Sequence, residues 1–210
     1  MIDTIIFKAL FVIASYLLGS VCFGYIFAKF LKNKDFGKED LPGAAGSFRR
    51  LGLKAGITTG LIDTAKGAAP PLLAKLLGLD DATLVIACLA VLVGHNWPIF
   101  FKFRGGGGLS VIMGISLVLA PIEFAIAFPS AIAAGYIYKY TLRKRFKIHP
   151  NPVGGGLGVF LLPVLAFVYD RPPFIILLFT IAFMIIAAKG IILYMMYNKK
   201  AVRQMPFNKS

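Results

Sequence analysis

The sequence predicts an all-α, polytopic membrane bundle of about seven spans, forming one membrane domain over residues 1–210. Three observations carry that prediction. Apolar residues make up 58% of the chain and its mean hydropathy is +0.79, whereas water-soluble domains run nearer 45–50% apolar. The excess is gathered into long runs, most of them of the length that crosses about 30 Å of hydrocarbon. The lysines and arginines are also divided unequally between the segments that join those runs. There are six in residues 32–54, two in 102–108, five in and beside 141–152, and four in the tail 198–210. The alternate segments hold only Arg171. The positive-inside rule then puts the amino terminus outside and the carboxyl terminus in the cytoplasm.

Taken in order, span 1 covers about 5–31 and carries Gly19, Ser20 and Gly24, which suit close helix packing. It has no small-residue cleavage site and reads as a retained span, not a removed signal peptide. Cytoplasmic loop 32–54 leads to span 2, about 55–77, where Pro70-Pro71 is expected to bend the helix. A tight turn at 78–81 precedes span 3, about 82–101. Loop 102–108 follows, and then span 4, about 109–120, which is too short to cross an ordinary bilayer upright. Pro121 separates it from span 5, about 122–140. Loop 141–152 precedes span 6, about 153–169, and a turn at 170–173 precedes span 7, about 174–197. Five spans would follow if span 4 and a neighbour formed a re-entrant pair.

The net charge of +14 is spread over short connecting segments. There it sets topology and meets anionic headgroups, so membrane lipids are the expected partners and nucleic acid is not. Cys22 and Cys88 lie in apolar runs and read as buried thiols. No metal, Walker, dinucleotide or serine–histidine–acid motif is visible, and no cofactor is expected. Oligomeric state is not legible.

The segment GHNWPIFFKFRGGGGLS, residues 94–110, is the most informative stretch. Four consecutive glycines, Gly105, Gly106, Gly107 and Gly108, hold a helix badly but can present successive amides to an anion. The helix that starts at Leu109 points its positive end the same way. Lys102 and Arg104 add charge just before them. His95 either acts as a base or phosphate ligand, with Asn96 beside it, or braces the loop. Arg49 and Arg50 follow a small-residue approach at the start of a helix-like run. They read as a phosphate clamp or as two membrane anchors. Asp63 and Lys66 share one face of an apolar helix, as a structural ion pair or as pocket groups. Glu123 opens span 5 and reads as structural. The second glycine cluster, 153–158, reads as helix packing.

With these pieces assembled, the chain resembles the bacterial acyl-phosphate:glycerol-3-phosphate acyltransferases, integral membrane enzymes of phospholipid synthesis with seven spans. The matching segments are GSVCFGYIFAKF, GAAGSFRRLGLKAG, LIDTAKG and GHNWPIFFKFRGG, in order from Gly19 onward. The family's first motif ends in an arginine that matches Arg49. Its serine falls at Glu39, and its asparagines at Leu41 and Gly46. The lysine of its glycine loop falls at Gly107, Arg104 stands for the preceding basic residue, and the tail NKKAVRQMPFNKS lacks the family histidine.

The resemblance implies acyl transfer from acyl phosphate to glycerol 3-phosphate, giving lysophosphatidate in the plasma membrane with the active face cytoplasmic. Neither a metal nor an acyl-enzyme is implied. Arg49, His95 and Asn96 are the implied catalytic set. Arg49, Arg50, Lys102, Arg104 and Gly105 to Gly108 are the implied phosphate site, with Asp63, Lys66 and Glu39 in support. A non-catalytic relative that binds an anionic lipid or precursor is the alternative; a small transporter has less support, since no inverted repeat is visible.

Overall fold

The computed structural model describes residues 2–32, 41–142 and 150–203. Glu39, His149 and the basic stretch 143–149 lie outside the described residues, as does the end of the tail. The described chain is all-helical. Its helices are α1 (Ile2–Ser20), α2 (Phe23–Lys32), α3 (Ala44–Leu51), α4 (Leu53–Leu76), α5 (Asp81–Asn96), α6 (Leu109–Leu119), α7 (Pro121–Thr141), α8 (Pro150–Val168) and α9 (Pro173–Arg203), with a short 3₁₀ turn at Ile99–Phe101. Four segments among the described residues are long and apolar enough to cross a membrane: Thr4–Phe30, Asp81–Phe101, Pro121–Thr141 and Pro173–Met195.

Several expected boundaries move, each for a local reason. The first span is not one helix but α1 and α2, interrupted at Val21-Cys22. There the Lys66 ammonium donates to the carbonyls of Gly19 (3.3 Å) and Val21 (2.8 Å), and the Tyr25 amide turns to Cys22 O instead. The stretch 32–54 is not all loop, because α3 occupies its second half. Arg49 and Arg50 lie in the last turn of α3, not at a helix start. Cations there complement the negative end of the helix. Gly52, at φ 101°, stops α3 and lets α4 begin one residue later, a conformation that glycine adopts without a Cβ penalty. The α4 helix stays continuous through Pro70 and Pro71. At its end Gly78 is left-handed and the Leu79 amide bonds back to Ala74 O, which is how a glycine closes a helix. Asp80 then caps α5 by accepting from the Thr83 amide. The Lys8 ammonium beside it, helped by Thr83, holds the Asp80 carboxyl below the usual carboxylate range. The α8 helix starts at Pro150, and α9 carries helix into the expected tail as far as Arg203.

Close packing fixes the arrangement. The α4 and α6 helices meet at Gly67 and Gly114, where a Cβ on either would strike the other's backbone at Val111 O or Thr64 O. The α1 and α5 helices touch in the same way at Gly19 and Gly94. Such small-residue contacts give membrane helices the dispersion that lipid tails otherwise compete for. Val91, Leu92, Val111, Ile115, Leu178 and Phe179 fill the core between α5, α6 and α9. As its position at a helix start suggested, Glu123 is structural: Arg171 grips it through Nε (2.5 Å) and Nη2 (3.1 Å). That ties the start of α7 to the turn before α9.

Candidate active site

Around the carboxyl end of α5 the apolar bundle holds a polar knot. Asp63 and Lys66 of α4 pair at 2.9 Å, and His95 Nδ1 stands 3.7 Å from Asp63 Oδ1, beyond hydrogen-bond reach. His95 and Asn96, the last residues of α5, are buried, as are Ser47 of α3 and Thr59 of α4, whose hydroxyl donates to Ser47 Oγ at 3.1 Å. Asp63 Oδ2, His95 Nδ1 and both polar atoms of the Asn96 amide lack a hydrogen-bond partner among the described residues, and Asp63 Oδ1 has its ion pair to Lys66. Buried polar groups are nearly always satisfied, so a concentration of exceptions marks a place where function outweighs stability.

The glycine loop lies directly on this knot. A Cβ on Gly105 would strike the His95 carbonyl, and one on Gly106 the His95 ring at Nε2. One on Gly108 would come within 2.8 Å of Asn96 Oδ1, and Gly108 is left-handed at φ 84°. Only Gly107 faces open space. The expectation of four amides offered to an anion is therefore modified. Gly106 N–H is committed to His95 O at 3.1 Å, and the glycines serve first to let the loop approach the knot. Its shape is held from several sides. Lys102 and Phe103 are both left-handed, and the Phe103 amide bonds Pro98 O at 2.9 Å. Tyr25 of α2 stacks on Phe101 (4.5 Å, 7°) and donates to Arg104 O at 2.8 Å. Tyr16 of α1 donates to Trp97 O at 3.0 Å.

Beside the loop is a cavity of about 750 Å³, within the range of small-molecule sites. At one end stand Phe48, Leu109, Lys139 and Gly154; at the other, Ser116, Phe124 and Leu162. The first end adjoins the glycine loop, because Leu109 follows Gly108 and Phe48 sits between Ser47 and Arg49. Gly154 and Gly158 of α8 come against Ala131 of α7 and Gly155 against Leu109, as helix packing predicts, while Gly156 of the same cluster faces open space. An apolar cavity whose lining begins one residue after the glycine loop suits a ligand with an anionic head and a hydrocarbon tail.

Known proteins point the same way. A family model described as Glycerol-3-phosphate acyltransferase matches residues 9–200. The chain belongs to that family. A glycerol-3-phosphate acyltransferase of Shouchella clausii (strain KSM-K16) is 45% identical over 127 residues, 59% of this chain and 60% of that protein. Glycerol-3-phosphate acyltransferase 2 of Deinococcus radiodurans is 35% identical, over 67% of this chain and 72% of the relative. The crystal structure of PlsY (YgiH), an integral membrane glycerol 3-phosphate acyltransferase, in its glycerol 3-phosphate form, superposes with a TM-score of 0.76. It covers 87% of both chains at 28% identity. The match to the first curated relatives spans about 60% of their length.

Within this family frame the site residues fall into two groups. Asp63, Lys66, His95, Asn96 and Gly105 to Gly108 are brought together in one place. Arg49 and Arg50, at the end of α3, and Lys102 and Arg104, just before the glycines, are exposed. Glu39 lies outside the described residues. His95, with its ring under Gly106, is placed to brace the loop. Sequence reading missed Lys189, a buried cation of α9 that donates to Asn96 O at 2.6 Å. The signal was present: an ionisable residue in the middle of an apolar span marks function by the argument that singled out Asp63 and Lys66.

Proposed function

We propose that the protein transfers a fatty acyl group from acyl phosphate to the first hydroxyl of glycerol 3-phosphate, giving lysophosphatidate. The observation that carries this reading is that the glycine loop, seated on His95 and Asn96, runs straight into Leu109, which lines the 750 Å³ apolar cavity. The names of the relatives supply the acceptor class. The proposed arrangement is one membrane domain of seven spans: Thr4–Phe30, α4, α5, α6, α7, α8 and α9. Its site faces the cytoplasm of a bacterial cell, where the positive-inside rule puts the loops bearing Arg49 and Lys102.

In this reading the acyl chain occupies the cavity with its acyl phosphate at the Leu109 and Phe48 end. Arg49, Arg50, Lys102 and Arg104 gather the phosphates, with the remaining loop amides in support. The acceptor hydroxyl attacks the acyl carbonyl, the bond from that carbon to the phosphate oxygen breaks, and the hydroxyl proton leaves on the departing phosphate. The protein contributes orientation and charge, and His95 and Asn96 position the loop.

The test is acyl transfer by the purified protein in lipid, with palmitoyl phosphate and radiolabelled glycerol 3-phosphate. Lysophosphatidate is expected from the unsubstituted protein and about 100-fold less from Arg49→Ala, the scale on which a single oxyanion or phosphate donor acts. A folded protein that forms no product, yet retains anionic lipid, would move the assignment to the non-catalytic reading.

The cavity carries its own prediction. Ser116→Phe fills its far end and should shorten the preferred donor. At about 0.8 kcal/mol per buried methylene, displacing two or three of them lowers kcat/KM for palmitoyl phosphate by roughly 15- to 60-fold. Octanoyl phosphate should be unaffected. Equal losses for both chain lengths would remove the tail from this cavity.

A further inference from the structure

The last helix brings into the knot a group that no motif accounts for. Lys189, between Ala188 and Gly190 of α9, is 4% exposed. Its Nζ donates to Asn96 O at 2.6 Å and lies 5.0 Å above the Trp97 ring. The carboxyl end of α5 and an aromatic face both favour a cation there, but neither carries a net negative charge. Asp63 and Lys66 neutralise each other. Among the described residues the buried groups around Asn96 therefore sum to one positive charge, and it is on Lys189. A buried ammonium with no anion is costly and is rarely retained without a use. The same helix reaches the glycine loop: Ile186, one turn earlier, lies 3.3 Å from where a Gly108 side chain would begin. Beside Gly108 is Gly107 and its open space.

We propose that Lys189 is the fixed positive charge of the anion site, holding the Asn96 carbonyl and drawing the phosphate monoester of the acceptor toward the open space at Gly107. This deepens, and rests on, the reading of the acceptor as glycerol 3-phosphate. It gives the last helix a direct part in selecting an anionic acceptor over a neutral one such as glycerol. Lys189 is a positioning residue in this account, since the bond it makes is to the chain itself.

The test uses the full protein in lipid nanodiscs, with Lys189→Met and Lys189→Arg. The methionine variant is expected to raise KM for glycerol 3-phosphate about 10- to 100-fold, the range for a lost charged hydrogen bond, with kcat within about threefold. Lys189→Arg should restore most of the affinity, which a purely packing role would not predict. A methionine variant with the unsubstituted KM overturns the proposal. A second measurement needs no variant. Trp97 is the only tryptophan, so its emission should shift saturably with glycerol 3-phosphate and not with glycerol. An emission unmoved while turnover saturates also overturns it. If the unsubstituted protein makes no lysophosphatidate, the functional reading has failed. Inorganic phosphate then serves as the probe: a saturable shift supports a Lys189 anion site, and no shift rejects it.

Discussion

Asp63→Ala should destabilise the bundle by about 3 kcal/mol, the low end of the ~3–5 kcal/mol lost when one partner of a buried ion pair is removed. The low end applies because Lys66 keeps its bonds to the carbonyls of Gly19 and Val21, so its ammonium is not wholly stranded. Lys66→Met is the harsher change. It leaves the Asp63 carboxylate buried and also releases the two carbonyls at the break between α1 and α2. The double variant Asp63→Ala/Lys66→Met should recover part of the loss, since neither member of the pair is then left without the other. Reversible unfolding in mixed micelles reads all three. If the double variant loses the sum of the two single losses, Asp63 and Lys66 are not energetically coupled.

Gly106→Ala is expected to lower acyl transfer about 100-fold, the cost associated with a displacement of roughly 1 Å in a positioned site. The new Cβ would fall on His95 Nε2. Either the ring swings toward Asp63 or the loop lifts and gives up the bond from Gly106 N–H to His95 O. Gly107→Ala, at the next residue of the same loop but facing open space, should leave kcat within about threefold and raise only KM for glycerol 3-phosphate, whose phosphate is proposed to lie there. That contrast separates close approach from generic flexibility. Equal losses at both positions would show that the loop needs freedom at large, and that His95 is not what Gly106 accommodates.

The order of the helices was legible because hydropathy and proline report directly on burial and on missing backbone donors. Pro121 and Gly78 fall where the chain turns. The break inside the first span was not legible, since the group that satisfies its carbonyls, Lys66, lies more than forty residues away. The position of Arg49 and Arg50 at a helix end depended on the left-handed Gly52, one of many glycines with no outward sign of its φ. In the site, four glycines in a row announced a special backbone. Two explanations fit that signal, anion binding and close approach, and only the third dimension put His95 beneath Gly106. Lys189 needed no third dimension to be suspected, but its partner did: Asn96 is 93 residues earlier.

The eleven residues of α6 rise only about 16 Å, roughly half of an ordinary hydrocarbon layer. In a membrane, such a helix either lets one of its ends sit below the surface or thins the bilayer around it. The cavity runs alongside this short helix, so a fatty tail lodged there remains at a depth where tails already reside. Lifting a sixteen-carbon chain into water would cost on the order of 12 kcal/mol. In the proposed reaction, sideways entry would avoid that barrier and leave the small phosphate-bearing acceptor as the reactant that travels through water. For that reaction the bilayer would be both the store from which the donor arrives and the place where the product is left.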